Sequence, residues 1–390
     1  MRHLVELFLF FVVLMALPDW YIYRHYVNRW KHAWLRRLYW CPSILLFIGM
    51  IGIFGSFEPR PEAMNRLSLF LISFLCINVP KVIFTLSTLL FKGLAKKIHH
   101  HFYESYIGLV IALFSMAYLL FGATEGKQHF QIKKVTIESK DIPMGFHGYR
   151  IIQLADIHAG SWGSNIRPMQ KAVNIIQGLQ PDLIVFTGDL INNLANELDP
   201  FIPVFSQLQA KDGVYSVLGN HDYSTYIEWD NPQQQKAQLD SLMAKQSQMG
   251  WTLLNNQHVK IHRKNDSIAL IGVENSGRPP FPDHARLSEA MAGTEGMFQI
   301  LLSHDPSHWQ REVLPKTDIQ LMLAGHTHAM QTKILGFSPS RFVYPEYEGL
   351  YKEDGQMLYV NVGLGYLMFP MRLGAWPEIT LFTLNTEPTK

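Results

Sequence analysis

Four apolar stretches, residues 4–23, 40–57, 67–91 and 104–122, fill the first third of this 390-residue chain. Each is close to the roughly 20 residues a helix needs to cross a hydrocarbon core about 30 Å thick. In lipid the backbone has to satisfy its own hydrogen bonds, so four transmembrane helices are the expected form. The first stretch is read as a retained helix: Pro18-Asp19-Trp20 lacks the small residues of a signal cleavage site, and three further stretches follow. The third carries Pro80 and Lys81 near its middle, which predicts a kink and a lysine that faces other helices or snorkels.

Charge divides the chain at the same point. Residues 1–122 hold 12 Lys and Arg against 5 Asp and Glu, and the remainder holds 22 against 27. Charged residues make up only 17% overall, against about 25% in an average soluble chain. A disordered or nucleic-acid-wrapping protein is thereby excluded, and no nucleic-acid partner is expected. Arg24, Arg29, Lys31, Arg36 and Arg37 follow the first apolar stretch, and Lys92, Lys96 and Lys97 follow the third. In the intervening connection Arg60 and Arg66 are balanced by Glu58 and Glu62. Positive connections stay in the cytoplasm, which predicts an extracytoplasmic face for everything after residue 122. The run His99-His100-His101 is read as a basic interfacial loop, because three consecutive side chains do not converge on one ion.

From about residue 130 the pattern becomes short β-rich runs alternating with polar, helix-compatible stretches, the signature of a layered α/β domain. A linker and first strand are expected over 123–147 and the domain itself over 148–390. Strands are expected at 150–155, 183–187, 214–218, 268–273, 298–303, 320–324, 357–362 and 378–384, the trailing ones forming a second sheet. The only cysteines are Cys41 and Cys76, so the domain has neither a disulfide framework nor a thiolate metal site.

Five of these runs end in metal-ligand types: Asp156 and His158, then Asp189, then Asn220-His221-Asp222, then His304, then His326 and His328. Ligands of open α/β sheets gather beyond the carboxyl ends of strands, so residues over 170 positions apart are expected to meet. Carboxylate, amide oxygen and imidazole without thiolate suit Mn, Fe or Zn. Asp189, alone at its strand end, is the natural bridging carboxylate for two ions. Such a pair, about 3.5–4 Å apart, would deprotonate a water while polarising a phosphoryl oxygen.

The set DIH, GD, GNHD, isolated His and GHTH resembles the calcineurin-like metallophosphoesterase superfamily across approximately residues 148–330. That resemblance implies a four-layer αββα sandwich with a dinuclear metal centre. Carried over, Asp156, His158 and His328 would bind the first ion, Asp189 would bridge, and Asn220, His304 and His326 would complete the second. His304 is preferred to His308 because it directly follows its strand. His221 would face the substrate phosphate and Asp222 would orient it. The tail, with Asn361-Val-Gly-Leu-Gly365, Pro370-Met-Arg-Leu-Gly374 and Pro377-Glu-Ile-Thr-Leu381, resembles the membrane-anchored bacterial branch, which implies the plasma membrane. Gly363 and Gly365 are read as shaping a tight loop near the metals, and Arg372 as a phosphate contact or a structural ion pair.

The expected activity is therefore hydrolysis of a phosphodiester or pyrophosphate bond by a metal-activated hydroxide. The expected partners are a phosphorylated small-molecule or lipid substrate, such as UDP-2,3-diacylglucosamine, and the bilayer. Two alternatives are a nucleotide or protein-phosphate hydrolase with an incidental anchor, and a non-catalytic membrane sensor. The loops 161–165, 223–229 and 277–284 are expected to decide between mono- and diesters.

Overall fold

A computed structural model describes residues 2–55, 61–95 and 103–387. The chain divides into two compact units, Met1–Gly126 with Met368–Met371, and Lys127–Leu367 with Arg372–Lys390.

Among the described residues of the first unit, four helices are long and apolar enough to cross a membrane, over Val5–Arg29, Ala33–Gly55, Arg66–Gly93 and Ser105–Gln128. The second span is built from two helices, Ala33–Leu38 and Cys41–Gly55, so it begins earlier than the apolar run at 40–57 suggests. Helix Pro61–Ala95 continues through Pro80. Lys81 turns inward rather than snorkelling: its ammonium donates to Asp19 Oδ1 at 2.7 Å and to Ser43 Oγ at 2.9 Å. A charge inside the bundle is retained because it is paired. Glu58, Arg60, Lys96, Lys97 and the His99–His101 run lie outside the described residues.

The described residues of the second unit form twelve strands in two six-stranded sheets. One sheet has the order β1-β12-β2-β3-β4-β5, formed by β1 (Gln131–Ser139), β12 (Glu378–Thr386), β2 (Tyr149–Leu154), β3 (Leu183–Phe186), β4 (Val214–Ser216) and β5 (Thr252–Leu253). The other has the order β10-β11-β9-β8-β7-β6, formed by β10 (Gly349–Glu353), β11 (Gln356–Val360), β9 (Leu321–Ala324), β8 (Phe298–Leu302), β7 (Asp266–Gly272) and β6 (Gln257–Arg263). The centre of each sheet is parallel: β2, β3, β4 and β5 in the first, β7, β8, β9 and β11 in the second. All their carboxyl ends therefore share one edge of their sheet.

Period-two alternation produces the layers. Ile151, Leu183 and Val185 point between the sheets and meet Leu270, Ile300, Leu302, Leu321 and Leu323. Their neighbours Ile152, Leu154, Ile184 and Phe186 face outward against Met169, Val173 and Ile176 of helix Arg167–Gly178. On the far side Ile271, Leu301, Met322 and Leu358 pack on Leu287, Trp309 and Val313. The result is helix, sheet, sheet, helix: a four-layer αββα sandwich. Burial on both faces explains why the central strands read as continuous apolar runs. The strands not located in advance, β5, β6 and β10, are short or half-exposed members at or beside the sheet edges.

Candidate metal centre

Beyond the carboxyl ends of β2, β3, β4, β8 and β9 the chain makes tight turns that carry the polar residues inward. Asp156, His158, Asp189, His326 and His328 all adopt positive φ, between 48° and 75°. Such left-handed backbone costs a non-glycine residue free energy and persists where the surroundings over-determine it. Here those surroundings are a buried cluster of donors.

Asp156, His158 and His328 bring one ligand atom each to within 4.8 Å of one another, and so do Asp189, His304 and His326. In the first group His158 Nε2 lies 3.0 Å from His328 Nε2, and His328 Nε2 lies 3.4 Å from Asp156 Oδ1. In the second, His304 Nε2 is 3.2 Å from Asp189 Oδ2, 3.2 Å from His326 Nδ1 and 3.1 Å from Asn220 Oδ1. Asp189 Oδ2 is also 3.6 Å from His158 Nε2, so one carboxylate oxygen borders both groups. An ion with bonds of about 2.1 Å holds neighbouring ligand atoms roughly 3.0–3.5 Å apart. The donors converge at that spacing, and the residues fit two divalent cations.

The electrostatics agree. Burial lowers His158 to about 3 and His326 to about 4, and it holds His328 well below the usual imidazole range. These rings are therefore neutral donors. Burial also raises the Asp156 carboxyl, and the Asp189 charge raises it further. Burial acts on Asp189 in the same sense, but His304 and His221 outweigh it and keep that carboxyl well below its ordinary value. His304 moves oppositely: despite burial, Asp189 and Asp156 raise it to about 10. The pocket favours positive charge at that point.

Hydrogen bonds set which atom of each ring faces the cluster. His304 donates from Nδ1 to the Thr187 carbonyl at 2.8 Å, leaving Nε2 inward. His326 Nε2 meets the Tyr344 hydroxyl at 2.7 Å, leaving Nδ1 inward. Asn220 donates from Nδ2 to the Tyr226 hydroxyl at 2.7 Å, which turns its carbonyl oxygen toward His304. Outer-shell partners of this kind fix ring and amide orientation at metal sites. Tyr226 lies in the 223–229 loop, whereas Thr187 and Tyr344 offered no ligand-type signal in the sequence. From the 277–284 loop Phe281 sets its ring edge against His326, with centroids 4.9 Å apart.

His221 stands beside the first group, its ring centroid 5.0 Å from that of His158. Asp222 does not orient it. Both Asp222 oxygens are occupied by backbone N–H donors from Asp189 (2.9 Å), Leu190 (2.9 Å), Ile191 (3.3 Å) and Gly219 (2.8 Å). Asp222 thus ties the β3 and β4 turns together, and the His221 ring is set instead by the Asn192 carbonyl. Glu197 in turn accepts the N–H groups of Asn192, Asn193 and Leu194 and holds that carbonyl in place.

His308 lies apart from the cluster, with Nδ1 2.9 Å from Ser303 Oγ. Arg372 is fully buried. Its guanidinium donates to the carbonyls of Gly365, Ala375 and Val362 and to His328 Nδ1, binding the tail to a cluster histidine. Gly363 and Gly365 shape that tail loop: a Cβ on Gly363 would lie 2.7 Å from the Asp156 Cβ, and one on Gly365 would overlap the Ile157 carbonyl.

Two family models match the chain: the transmembrane domain of calcineurin-like phosphoesterases over residues 1–127, and calcineurin-like phosphoesterase over residues 149–330. A transmembrane protein with metallophosphoesterase domain from Danio rerio is 28% identical over 98% of this chain and 89% of its own length. The metallophosphoesterase YkuE of Bacillus subtilis is 33% identical over 64% of this chain and 84% of its own. The UDP-2,3-diacylglucosamine pyrophosphatase LpxG of Chlamydia trachomatis is 25% identical over 65% and 90%. With the two buried ligand groups and the apolar N-terminal helices, these matches identify the chain as a member of the calcineurin-like metallophosphoesterase family, a membrane-bound phosphoester hydrolase.

Proposed function

We propose that this protein hydrolyses phosphodiester or pyrophosphate bonds in a lipid-linked or otherwise amphiphilic substrate. Asp156, His158 and His328 would hold one divalent ion, Asn220, His304 and His326 the other, with Asp189 between them. The observation that carries this reading is the position of Asp189 Oδ2, 3.2 Å from His304 and 3.6 Å from His158. A single carboxylate oxygen so placed suits a shared ligand of two ions. When bound, such a pair supplies Lewis acidity toward a phosphoryl oxygen and lowers the pKa of a water.

The chain's own contribution is positional. Tyr226 and Tyr344 hold Asn220 and His326 with their donor atoms inward. His221, half-buried and fixed through Nδ1, leaves Nε2 free to meet substrate; in its imidazolium form that nitrogen would donate to a phosphate oxygen or give its proton to the leaving group.

The substrate class rests on two supports. Four apolar spans exceed what a simple tether requires, and the relative LpxG is named for a pyrophosphatase acting on a diacylated nucleotide sugar. Charge in the connections favours an extracytoplasmic catalytic domain, which in turn favours lipid-linked phosphates displayed on that face over a cytoplasmic nucleotide lipid. Purified full-length protein with Mn should hydrolyse bis(p-nitrophenyl) phosphate faster than p-nitrophenyl phosphate. UDP-2,3-diacylglucosamine and lipid extracts from a deletion strain would then be screened by mass spectrometry. No turnover of any phosphodiester or pyrophosphate by metal-loaded protein would refute the proposal. A reporter fused at the C-terminus decides the side.

A further inference from the structure

Between His328 and Tyr344 the second unit displays an apolar hairpin that the metal centre does not use. Ile334 and Phe337 exchange both backbone hydrogen bonds at 2.9 Å, closing a turn on Leu335 and Gly336. Both turn residues have positive φ, 50° and 83°, as in the primed turns that favour Asn, Asp or Gly at the first position. Leucine is a poor choice there, and Leu335 is completely exposed, at 102% relative accessibility. In water the position is doubly unfavourable.

Leu335 is not isolated. Ile334, Phe337 and Val343 are exposed beside it, and Phe342 is 79% exposed. The shape is preset: the Phe337 and Phe342 rings meet edge-on with centroids 5.6 Å apart. Beneath them buried Ser338 donates to the Ala329 carbonyl at 2.6 Å. No Asp or Glu occurs between His328 and Tyr344, while Lys333 and Arg341 flank the apolar tip. Lys333 pairs with Glu348, and Arg341 lies 5.8 Å from the Phe337 ring centroid.

A rigid apolar tip, an aromatic shoulder and basic flanks are the features of a segment that lies in a membrane interface. An exposed apolar patch marks an interaction surface, and a chain with four membrane spans always has a bilayer within reach of its tether. We propose that residues 330–343 form a membrane-inserting hairpin, with Leu335 and Phe342 embedded in the interfacial region of the lipid. The hairpin starts two residues after His328 and ends at Tyr344, the partner of His326. Insertion would therefore set the mouth of the metal centre against the bilayer surface. The insertion is independent of which ester the centre cleaves.

The test uses the full chain in phosphatidylethanolamine–phosphatidylglycerol nanodiscs, with Cys41→Ala and Cys76→Ala removing the native thiols. A nitroxide is attached at Leu335→Cys, separately at Phe342→Cys, and at Lys236→Cys on the exposed surface of helix Pro232–Gln248 as an aqueous reference. Expected is an oxygen-to-nickel-chelate accessibility ratio several-fold higher at the two hairpin sites than at residue 236. Ratios equal to the reference overturn the proposal. So does shielding from both probes, the signature of a covering protein. Hydrolysis of a soluble diester by the same samples reports on the centre separately. An embedded label with a silent centre counts against the proposed function alone, and a water-exposed label with a working centre counts against the hairpin alone.

Discussion

His221 donates its Nδ1 proton to the main-chain carbonyl of Asn192 across 2.7 Å. A carbonyl only accepts, so the tautomer is fixed and Nε2 is the atom free to meet substrate. His221→Ala should retain both ions, measured by elemental analysis, while kcat toward a soluble diester falls about 10²–10⁴-fold. Loss of metal from this variant would show that the ring is a ligand.

Asp189 sits between the two ligand groups, so its removal should be felt in both. Asp189→Ala is expected to lose turnover and bound metal together, and His304 loses the carboxylate that raises it most. Retention of two ions at wild-type affinity would disprove the shared role.

The Tyr226 hydroxyl accepts from Asn220 and touches no other donor of the cluster. Tyr226→Phe lets the amide rotate. The expected loss is about 10–100-fold in affinity for one of the two ions, the usual scale for an outer-shell partner. Titration of chelator-stripped protein should show one weakened and one unchanged site; uniform weakening of both would contradict the geometry.

Metal uptake should release protons. In the metal-free pocket burial raises Asp156, and Asp189 and Asp156 raise His304, so both carry protons near neutrality that a cation has to displace. Apparent affinity should therefore rise with pH between about 6 and 8. Calorimetry in buffers of different ionisation enthalpy measures the release, and a buffer-independent heat would contradict it.

His308 provides a pH test away from the cluster. Burial, aided by Arg311, lowers it to about 4. The unfolded chain binds this proton below about 6.5 and the folded chain does not. Stability is thus intact above 6.5 and declines as pH falls toward 4, by at most about 3 kcal/mol from this group. Thermal unfolding of wild type and His308→Gln across that window should show a shallower decline in the variant. Parallel curves would mean that the ring is already charged in the fold.

The buried middle of each sheet could be read directly, because parallel strands covered on both faces leave uninterrupted apolar runs; β3, β8 and β9 were located to within one residue at each end. Edge strands such as β6, with Lys260 exposed and only Ile261 buried, dilute that signal. The eventual cluster members could be read for a related reason: each stands where a run of apolar residues stops. Preference for His304 over His308 rested on that adjacency, and only His304 enters the cluster. Asn192 and Tyr344 escaped notice because they act through a carbonyl and a hydroxyl on aperiodic turns. The role of Asp222 was misjudged because chain order does not reveal that four amides converge on its carboxylate.

The pairing of β1 with β12 has a consequence for biogenesis. The first strand after the last span lies in parallel register against the final strand, from Gln131 opposite Glu378 to Ser139 opposite Thr386. A nascent chain threaded into the bilayer holds β1 without this neighbour until Glu378–Thr386 has been synthesised. That edge of the sheet therefore stays unpaired until β12 emerges, and a premature stop before residue 378 would leave an anchored polypeptide with an open, adhesive border.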